Sequence, residues 1–479
     1  MRRGHIARLI MAGATVLAAA ACAVNPATGE RQLSFISESE EIQMGREADP
    51  EVVASLGLYP DSAVQRYVRG LGEELAAVSE RPNLPWTFRV LDDPTVNAFA
   101  IPGGFIYVTR GILSHLTSEA QLVGILGHEI GHVTARHSVN QMSRQQLAQL
   151  GLGVGMILSE QVAAVGDLAA AGLQVLSLRF SREDESQADG LGIRYMRRLD
   201  YDPRELASVM RMLERTSELA QGSGRVPEWL STHPDPANRV DDIQRIVATA
   251  DEDLSAAIVR RNGFLRQIDA MVFGTNPREG YFDGDVFHHP DLRFRIDFPT
   301  GWQKANGKSA VQAGPPSEDA ILALTLAEGS PSAALDEFGA QDGVSVGGVM
   351  ARQVNGLTAA LAPFAAQSQE NRFRGLVLFV SHGGITYQFL GYTYEARWGS
   401  HADAIEAALR SFRPETDPDV LAATPDRIEL VELDGSLTLA GFVERYPSAV
   451  APEVIALINQ VESGEAFEGG TLAKRVTTR

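Results

Sequence analysis

The residues best suited to chemistry in this 479-residue chain are two histidines and a glutamate, in the run His128-Glu129-Ile130-Gly131-His132. On an α-helix, residues four apart lie one above the other, so both imidazoles can reach one divalent cation. Glu129 then stands where a carboxylate can take a proton from water polarised by that cation. The chemistry implied is metal-assisted hydrolysis of an amide bond. The five-residue pattern alone arises by chance roughly once in a hundred chains of this kind, so its setting decides.

The setting is an apolar helix. Ser118 followed by Gln121 reads as a capping box just ahead of the apolar run. Leu122, Leu126, Ile130 and Val133 share one stripe, and His128, His132, Gln121 and Ile125 lie opposite. One face should therefore dock on a core and the other look into a site. Gly124, Gly127 and Gly131 form a third stripe. Each glycine costs a helix about 1 kcal/mol against alanine, so a second backbone is expected to pack closely there. Continued at the same period, the helix places His137 about 180° round from His128, on the apolar stripe. That suits a hydrogen-bonded structural histidine rather than a ligand. His115 has no partner pattern.

A third ligand must come from elsewhere. In Ser181-Arg182-Glu183-Asp184-Glu185-Ser186-Gln187-Ala188-Asp189, Glu185 and Asp189 are four apart and point the same way from a helix. One carboxylate can bind the metal, and the other can accept the free N–H of a ligating histidine. Glu183 and Asp184 are explained by the preference of carboxylates for a helix N-terminus.

H-E-I-G-H followed by S-R-x-x-E-x-Q-A-D resembles the HtpX-type and CAAX prenyl protease family of zinc metallopeptidases, over about residues 35–270. The resemblance implies one Zn²⁺ per chain, held by His128, His132 and Glu185, with Asp189 behind the ligands and Glu129 as general base. The family's integral-membrane members carry several spanning helices. This chain has none, and is more similar to the periplasmic lipoprotein branch. A tetratricopeptide array occurs in that branch, but no 34-residue repeat is found here. The family has a similar loop to Ser231-Thr232-His233-Pro234 near its metal. By that likeness His233 either stabilises the oxyanion or is a fourth, inhibitory ligand. Arg239, just beyond, could bind a carboxylate or a substrate carbonyl. Residues 97–101 and 105–109 flank Pro102-Gly103-Gly104 as a hairpin. The resemblance sets this strand beside the cleft, where an extended substrate adds to its edge, with Asn97 and Ala98 as contacts.

The positioning elements follow from the rest of the chain. Residues 1–21 carry Arg2, Arg3 and Arg8 and then an apolar run, the pattern of a secretory signal. Ala19-Ala20-Ala21-Cys22 resembles a bacterial lipoprotein box. Cys22 is the single cysteine. No internal disulfide is possible, and lipid attachment at Cys22 is expected, with Ala23 pointing to the outer membrane. The chain has 42 basic and 61 acidic residues, a net −19. Without the three leader arginines the balance is 39 against 61, or −22. That argues against nucleic acid and against electrostatic binding to anionic lipid. Residues 25–29 read as a polar linker. Helices are expected from Ser37, over 60–78 and over 236–248, and a strand over 86–91. Residues 151–180 are apolar and glycine-rich, interrupted by Glu160 and Asp167. Two short core helices or a mobile cover over the cleft fit better than a membrane span.

After about residue 274 the character changes. Leu292, Phe294, Ile296 and Phe298 alternate as a half-buried strand, 376–381 and 385–393 flank a hairpin, and 402–412 is an amphipathic helix. Phe298-Pro299-Thr300-Gly301-Trp302 resembles the start of PsbP/Mog-type domains. No catalytic cluster is visible, so binding or regulation is the default. Residues 426–479 resemble a LysM-type module, which implies peptidoglycan contact. A packed tail is the plainer alternative.

The expected fold class is multidomain α+β. Its parts are a signal peptide (1–21), a lipid-attachment linker (22–34), a mainly helical zincin-type peptidase domain with a small hairpin (35–274), an α+β domain (278–413) and a small C-terminal module (426–479). The expected function is a zinc endopeptidase of the bacterial periplasm, cleaving unfolded or misassembled envelope proteins. The competing expectation is a non-proteolytic envelope factor that uses the same fold to hold partners.

Overall fold

The computed structural model describes residues 22–151, 178–221, 228–234, 236–368, 371–462 and 464–478. The expected signal segment and residues 152–177 of the apolar stretch lie outside the described residues. The fold is mixed, with a helical region around the H-E-x-x-H helix followed by a sheet-rich region. Two compact units form. One holds Met1–Val53, Gly57–Gly274 and Asp426–Thr477, and the other Ala54–Leu56, Thr275–Pro425 and Thr478–Arg479. Among the described residues, no helix is long and apolar enough to cross a membrane.

In the first unit, residues 25–29 turn a hairpin between β1 (Cys22–Val24) and β2 (Arg31–Leu33). Helix α1 (Glu38–Leu56) starts on a complete capping box between Ser37 and Glu40. Helix α2 (Ser62–Ala77) is capped by Asp61. Strands β3 (Thr87–Leu91), β4 (Ala98–Ile101) and β5 (Phe105–Thr109) form a sheet in the order β3–β5–β4. β5 runs parallel to β3 and antiparallel to β4, so β4 is an edge strand. The β4–β5 turn requires its glycine. Gly103 has φ +86°, and a Cβ there would lie 2.7 Å from the Ile42 Cα of α1.

Helices α3 (Arg110–His115) and α4 (Glu119–Ala135) follow. α4 carries the metal motif and is buried all round. A helix apolar on every side belongs in the interior, and the two-faced surface expected from its stripes gives way to complete enclosure. Only half of the expected capping box forms. Ser118 Oγ accepts from Gln121 N at 3.2 Å, but the Gln121 side chain accepts from Thr117 N at 2.8 Å. α4 ends at Arg136, whose φ of 61° is left-handed, and α5 (His137–Gly151) sets off in a new direction.

Helix α6 (Arg182–Arg198) opens on a capping box between Ser181 and Asp184 and packs along the glycine stripe of α4. A Cβ on Gly127 would lie 3.2 Å from Gly192 Cα, and one on Gly131 3.0 Å from Ala188 O. The expected close backbone is therefore α6. It brings Glu185 and Asp189 against His128 and His132. Helices α7 (Arg204–Gln221), α8 (Glu228–Thr232), α9 (Pro236–Thr249) and α10 (Arg261–Gln267) complete this part.

Residues 426–477 share the first unit. Ile428 and Leu457 join the core that contains Leu122, Leu126 and Ile130. The fully buried Lys474 donates from Nζ to Ser114 O (2.8 Å) and Leu116 O (2.6 Å), at the end of α3. The order is strand Asp426–Glu432, helices Leu439–Arg445 and Pro452–Asn459, and strand Leu472–Thr478.

The second unit is built on one large antiparallel sheet. Val344–Val346, Leu357–Ser368, Asn371–His382, Ile385–Tyr394, Ala320–Ala327, Val311–Gly314 and Gln303–Asn306 lie side by side in that order. Helix Trp398–Ser411 and a smaller sheet containing Phe294–Asp297 cover one face. The adjacent histidines diverge, as alternation on a strand demands. His288 meets Glu415 at 2.5 Å, whereas His289 Nδ1 accepts from Leu292 N.

Candidate metal centre

His128, His132, Glu185 and His233 offer ligand atoms that all lie within 4.8 Å of one another, and all four are buried. His128 Nε2 is 3.0 Å from His132 Nε2 and 3.6 Å from Glu185 Oε2. His132 Nε2 is 3.5 Å from Glu185 Oε1. His233 Nδ1 is 3.4 Å from His128 Nε2 and 2.9 Å from Glu185 Oε1. Donors about 2.0–2.1 Å from a tetrahedral ion sit roughly 3.4 Å from each other. The observed separations bracket that value, and a nitrogen and carboxylate donor set suits a borderline divalent cation. The residues present fit such an ion.

The donors come from three elements: α4 supplies the two histidines, α6 the glutamate, and the turn after α8 His233. His233 N donates to Trp229 O at 2.8 Å, and its ring stacks on the Trp229 indole at 4.6 Å. Glu129 is buried beside the cluster, its Oε1 3.7 Å from His233 Nε2. Burial pushes the Glu129 carboxyl up to about 7. Burial opposes charge on His233 too, yet Glu185 and Glu129 outweigh it and hold its imidazole above the ordinary value. For Glu185 the same burial is overcome by His233 and Arg239, which keep the carboxyl below the ordinary range.

Behind the donors, His128 Nδ1 meets Asp189 Oδ1 at 2.9 Å. Arg239 closes on Asp189 with Nε–Oδ2 at 2.8 Å and Nη2–Oδ1 at 2.6 Å, and reaches Glu185 Oε2 from Nη1 at 2.6 Å. Its guanidinium lies over the Trp229 ring. Arg239, expected as a possible substrate contact, thus meets the chain's own carboxylates. Two buried carboxylates four residues apart demand a cation between them. Asn97 is buried just ahead of β4, with its Oδ1 accepting no hydrogen bond. Ala98 begins the edge strand and is fully enclosed, backbone included. Cys22 stands at the start of β1, outside this cluster.

Several site residues escaped the sequence reading. Trp229 precedes His233 by four residues, a helical spacing that could have flagged it. Phe180, just before the α6 cap, packs its ring 4.2 Å from that of His132. Gln187 lies inside the S-R-x-x-E-x-Q-A-D run, and its Oε1 is 2.8 Å from His137 Nε2. His137 is hydrogen-bonded as expected, but it is not turned away from the metal helix. The left-handed turn at Arg136 sets its Nδ1 2.9 Å from His132 Nδ1.

Residues 62–247 match the model of Peptidase family M48. The chain is 30% identical over 254 residues to the beta-barrel assembly-enhancing protease of Escherichia coli (strain K12), covering 50% of this chain and 51% of that protein. It is 34% identical over 198 residues to the mitochondrial metalloendopeptidase OMA1 of Danio rerio, covering 39% of this chain and 41% of that one. The chain thus spans about half the length of the E. coli protease. A solved structure of cyanobacterial PsbP (CyanoP) from Synechocystis is matched at 15% identity and TM-score 0.24, over 28% of this chain and 94% of that one, too weak a likeness to carry an argument. The segment 62–247, which holds the four clustered donors and Glu129, is similar to Peptidase family M48 and to the metalloendopeptidases matched here.

Proposed function

We propose that the protein is a zinc-dependent endopeptidase of the bacterial cell envelope, acting on misfolded or stalled envelope proteins. The observation that carries this reading is the buried convergence of His128, His132 and Glu185, with Glu129 on the same helix. Its finer placement among HtpX-type peptidases rests on the H-E-I-G-H and S-R-x-x-E-x-Q-A-D runs. The envelope assignment is supported by the leader pattern, by Cys22 as a lipid-attachment point, and by 30% identity to a protease named for β-barrel assembly. Peptidoglycan contact through residues 426–479 belongs to the same reading.

A zinc ion, when bound, supplies Lewis-acid polarisation of the attacking water and of the scissile carbonyl. Glu129 takes the proton released as water attacks and returns it to the leaving amine. A carboxyl near 7 is matched to both transfers. In this reading His233, whose Nε2 lies 3.7 Å from Glu129 Oε1, donates a hydrogen bond to the oxygen that gathers negative charge. Asp189 accepts the Nδ1–H of His128 and so keeps its Nε2 lone pair aimed at the donor cluster. Among the described residues the outer edge of β4 has no strand partner, and strand addition there is the binding mode that this reading expects for an extended substrate beside Asn97 and Ala98.

One observation favours the second reading, a non-proteolytic envelope factor. With His233 included, the cluster has four protein donors, the number found in closed structural sites. Metal content measured together with cleavage of an unfolded casein-like protein separates the two. The peptidase reading expects zinc, cleavage, and loss of cleavage on adding a chelator. Bound zinc with no turnover of any unfolded protein would move the assignment to the second reading.

A further inference from the structure

The turn between α4 and α5 is held at a cost. Arg136 occupies the left-handed region, which is unfavourable by about 1 kcal/mol or more for a residue with a Cβ. Three contacts hold it there. Arg136 Nε donates to Glu41 Oε2 (3.0 Å) and Nη2 to Ile36 O (2.8 Å). Arg81 grips the same buried Glu41 and donates to Val133 O at 2.9 Å, closing the end of α4. Had α4 run on without a break, position 137 would stand about 140° round the axis from position 132. With the turn, the His137 ring comes back beside the His132 ring, buried, at a centroid distance of 4.9 Å.

The proton positions follow from chemistry. His132 Nε2 faces the other donors, so ligation uses that lone pair and leaves the ring proton on Nδ1. That N–H needs an acceptor, and His137 Nδ1 lies 2.9 Å away. His137 must then carry its own proton on Nε2, which points at Gln187 Oε1 at 2.8 Å. A second donor, Asn25 Nδ2, approaches the same Gln187 oxygen at 3.4 Å, so that atom is the amide carbonyl. The roles are thereby set from the far end: Gln187 accepts, His137 relays, His132 donates.

We propose that His137 is a positioning residue for the ligand His132: it accepts the His132 Nδ1–H, with Gln187 fixing its tautomer and the Glu41-held turn delivering it. This deepens the metallopeptidase reading and rests on it. No covalent step is involved. His137 acts by holding one ring in one orientation and one protonation pattern, as outer partners of ligating histidines do.

The test uses the full chain with His137→Leu and His137→Asn. Asparagine sets its Oδ1 close to where the His137 Nδ1 stands, so it keeps the acceptor. Leucine removes it. Three quantities are read: zinc affinity by chelator competition, the visible absorption of the cobalt(II)-loaded protein, and the melting temperature of the metal-free protein. His137→Leu should bind zinc about 10- to 100-fold more weakly and shift the cobalt bands. His137→Asn should stay within about threefold of wild type, with the native bands, and both metal-free variants should melt close to wild type. Leucine binding zinc as tightly as wild type with unchanged bands overturns the inference, and so does asparagine falling as far as leucine. If His137→Leu fails to fold, Gln187→Leu reads the same bands one step further out, and unchanged bands there, with wild-type zinc affinity, overturn it equally. A wild-type chain that takes up neither ion overturns the metallopeptidase reading and this inference with it. Wild-type uptake with indifferent variants overturns the inference alone.

Discussion

His128 and His132 stand one turn apart on α4, yet their outer ring nitrogens meet opposite chemistry. His128 faces an ionic assembly in which Asp189 is clamped by Arg239, and Arg239 continues to Glu185. His132 faces one without a buried charge, the imidazole of His137 and the amide of Gln187, with the partly exposed Asp184 carboxylate 3.6 Å from His137 Nε2 at its outer end. The ionic side is strong and hard to dismantle, because removing any one charge strands another in a low-dielectric interior. The neutral side has less to lose, since each of its bonds is worth about 1 kcal/mol. A metal site can therefore be anchored rigidly through one histidine while the other is oriented by contacts that need no buried charge.

The largest expected effect lies between the two sides. Glu129→Gln should lower cleavage of an unfolded protein by about 10²–10⁴-fold, the usual worth of a general base, and keep zinc. Neither assembly touches the Glu129 carboxyl directly, so the metal content of this variant measures whether the two sides suffice to hold the ion. Cleavage at the wild-type rate would remove Glu129 from the mechanism.

Next comes the matched pair Asp189→Ala and His137→Asn, read by urea denaturation of the metal-free protein. Losing Asp189 leaves the buried Arg239 short of its main counter-charge and should cost about 3 kcal/mol or more. His137→Asn should cost under about 1 kcal/mol. Equal costs would erase the distinction between the sides.

Both sides hang from α6, and the glycine contact sets its distance. A Cβ on Gly131 would come 3.0 Å from Ala188 O and 3.1 Å from Ala188 Cα. Gly131→Ala gains about 1 kcal/mol in helix propensity but forces apart two packed backbones, at about 1–3 kcal/mol. The expected net is a modest destabilisation together with weaker zinc binding, because Glu185, Gln187 and Asp189 all move. Gly190→Ala, on α6 with nothing within 4 Å of the added carbon, is the control and should stabilise slightly. A Gly131→Ala protein as stable as Gly190→Ala would mean that the helices are free to separate.

Much of this was legible in the sequence because it rests on short-range periodicity. The i, i+4 spacings of His128 with His132 and of Glu185 with Asp189 named the chemistry, and the glycine stripe foretold a close neighbour. What was not legible depends on single breaks and distant partners. Carrying the helical period through Arg136 put His137 on the wrong side, since no local residue type announces a left-handed arginine. Its cause lies in Glu41, far back in the chain. Gln121 failed to complete its capping box because its Oε1 is already taken, accepting from Thr117 N at 2.8 Å and from Gln460 Nε2 at 3.0 Å. Periodicity says that a face is buried but not against what, so the docking of residues 426–477 on α3 through Lys474 was equally out of reach.

Acid separates the two sides by the smallest expected margin. Burial works against ionisation of Asp189, but Arg239 and His128 outweigh it and hold its carboxyl well below the usual range. A depressed carboxylate stabilises the fold at every pH above its unfolded value of about 3.9 and loses that only below it, so between pH 7 and 5.5 ionisation of Asp189 itself contributes no change. His137 behaves otherwise. Burial lowers its imidazole below 6.5, with Asp184 and Gln187 opposing. Below pH 6.5 the unfolded chain takes up a proton there that the folded chain refuses, so stability falls as pH falls, by at most about 1.4 kcal/mol per unit. A bound cation would lower the group further and preserve the sign. From pH 7 to 5.5, metal-free wild type should therefore lose up to about 1 kcal/mol more than His137→Asn, which has nothing to titrate. If His137→Asn softens with acid as much as wild type, the folded chain does not hold the His137 imidazole below its unfolded value, and the contrast between the two sides loses its support.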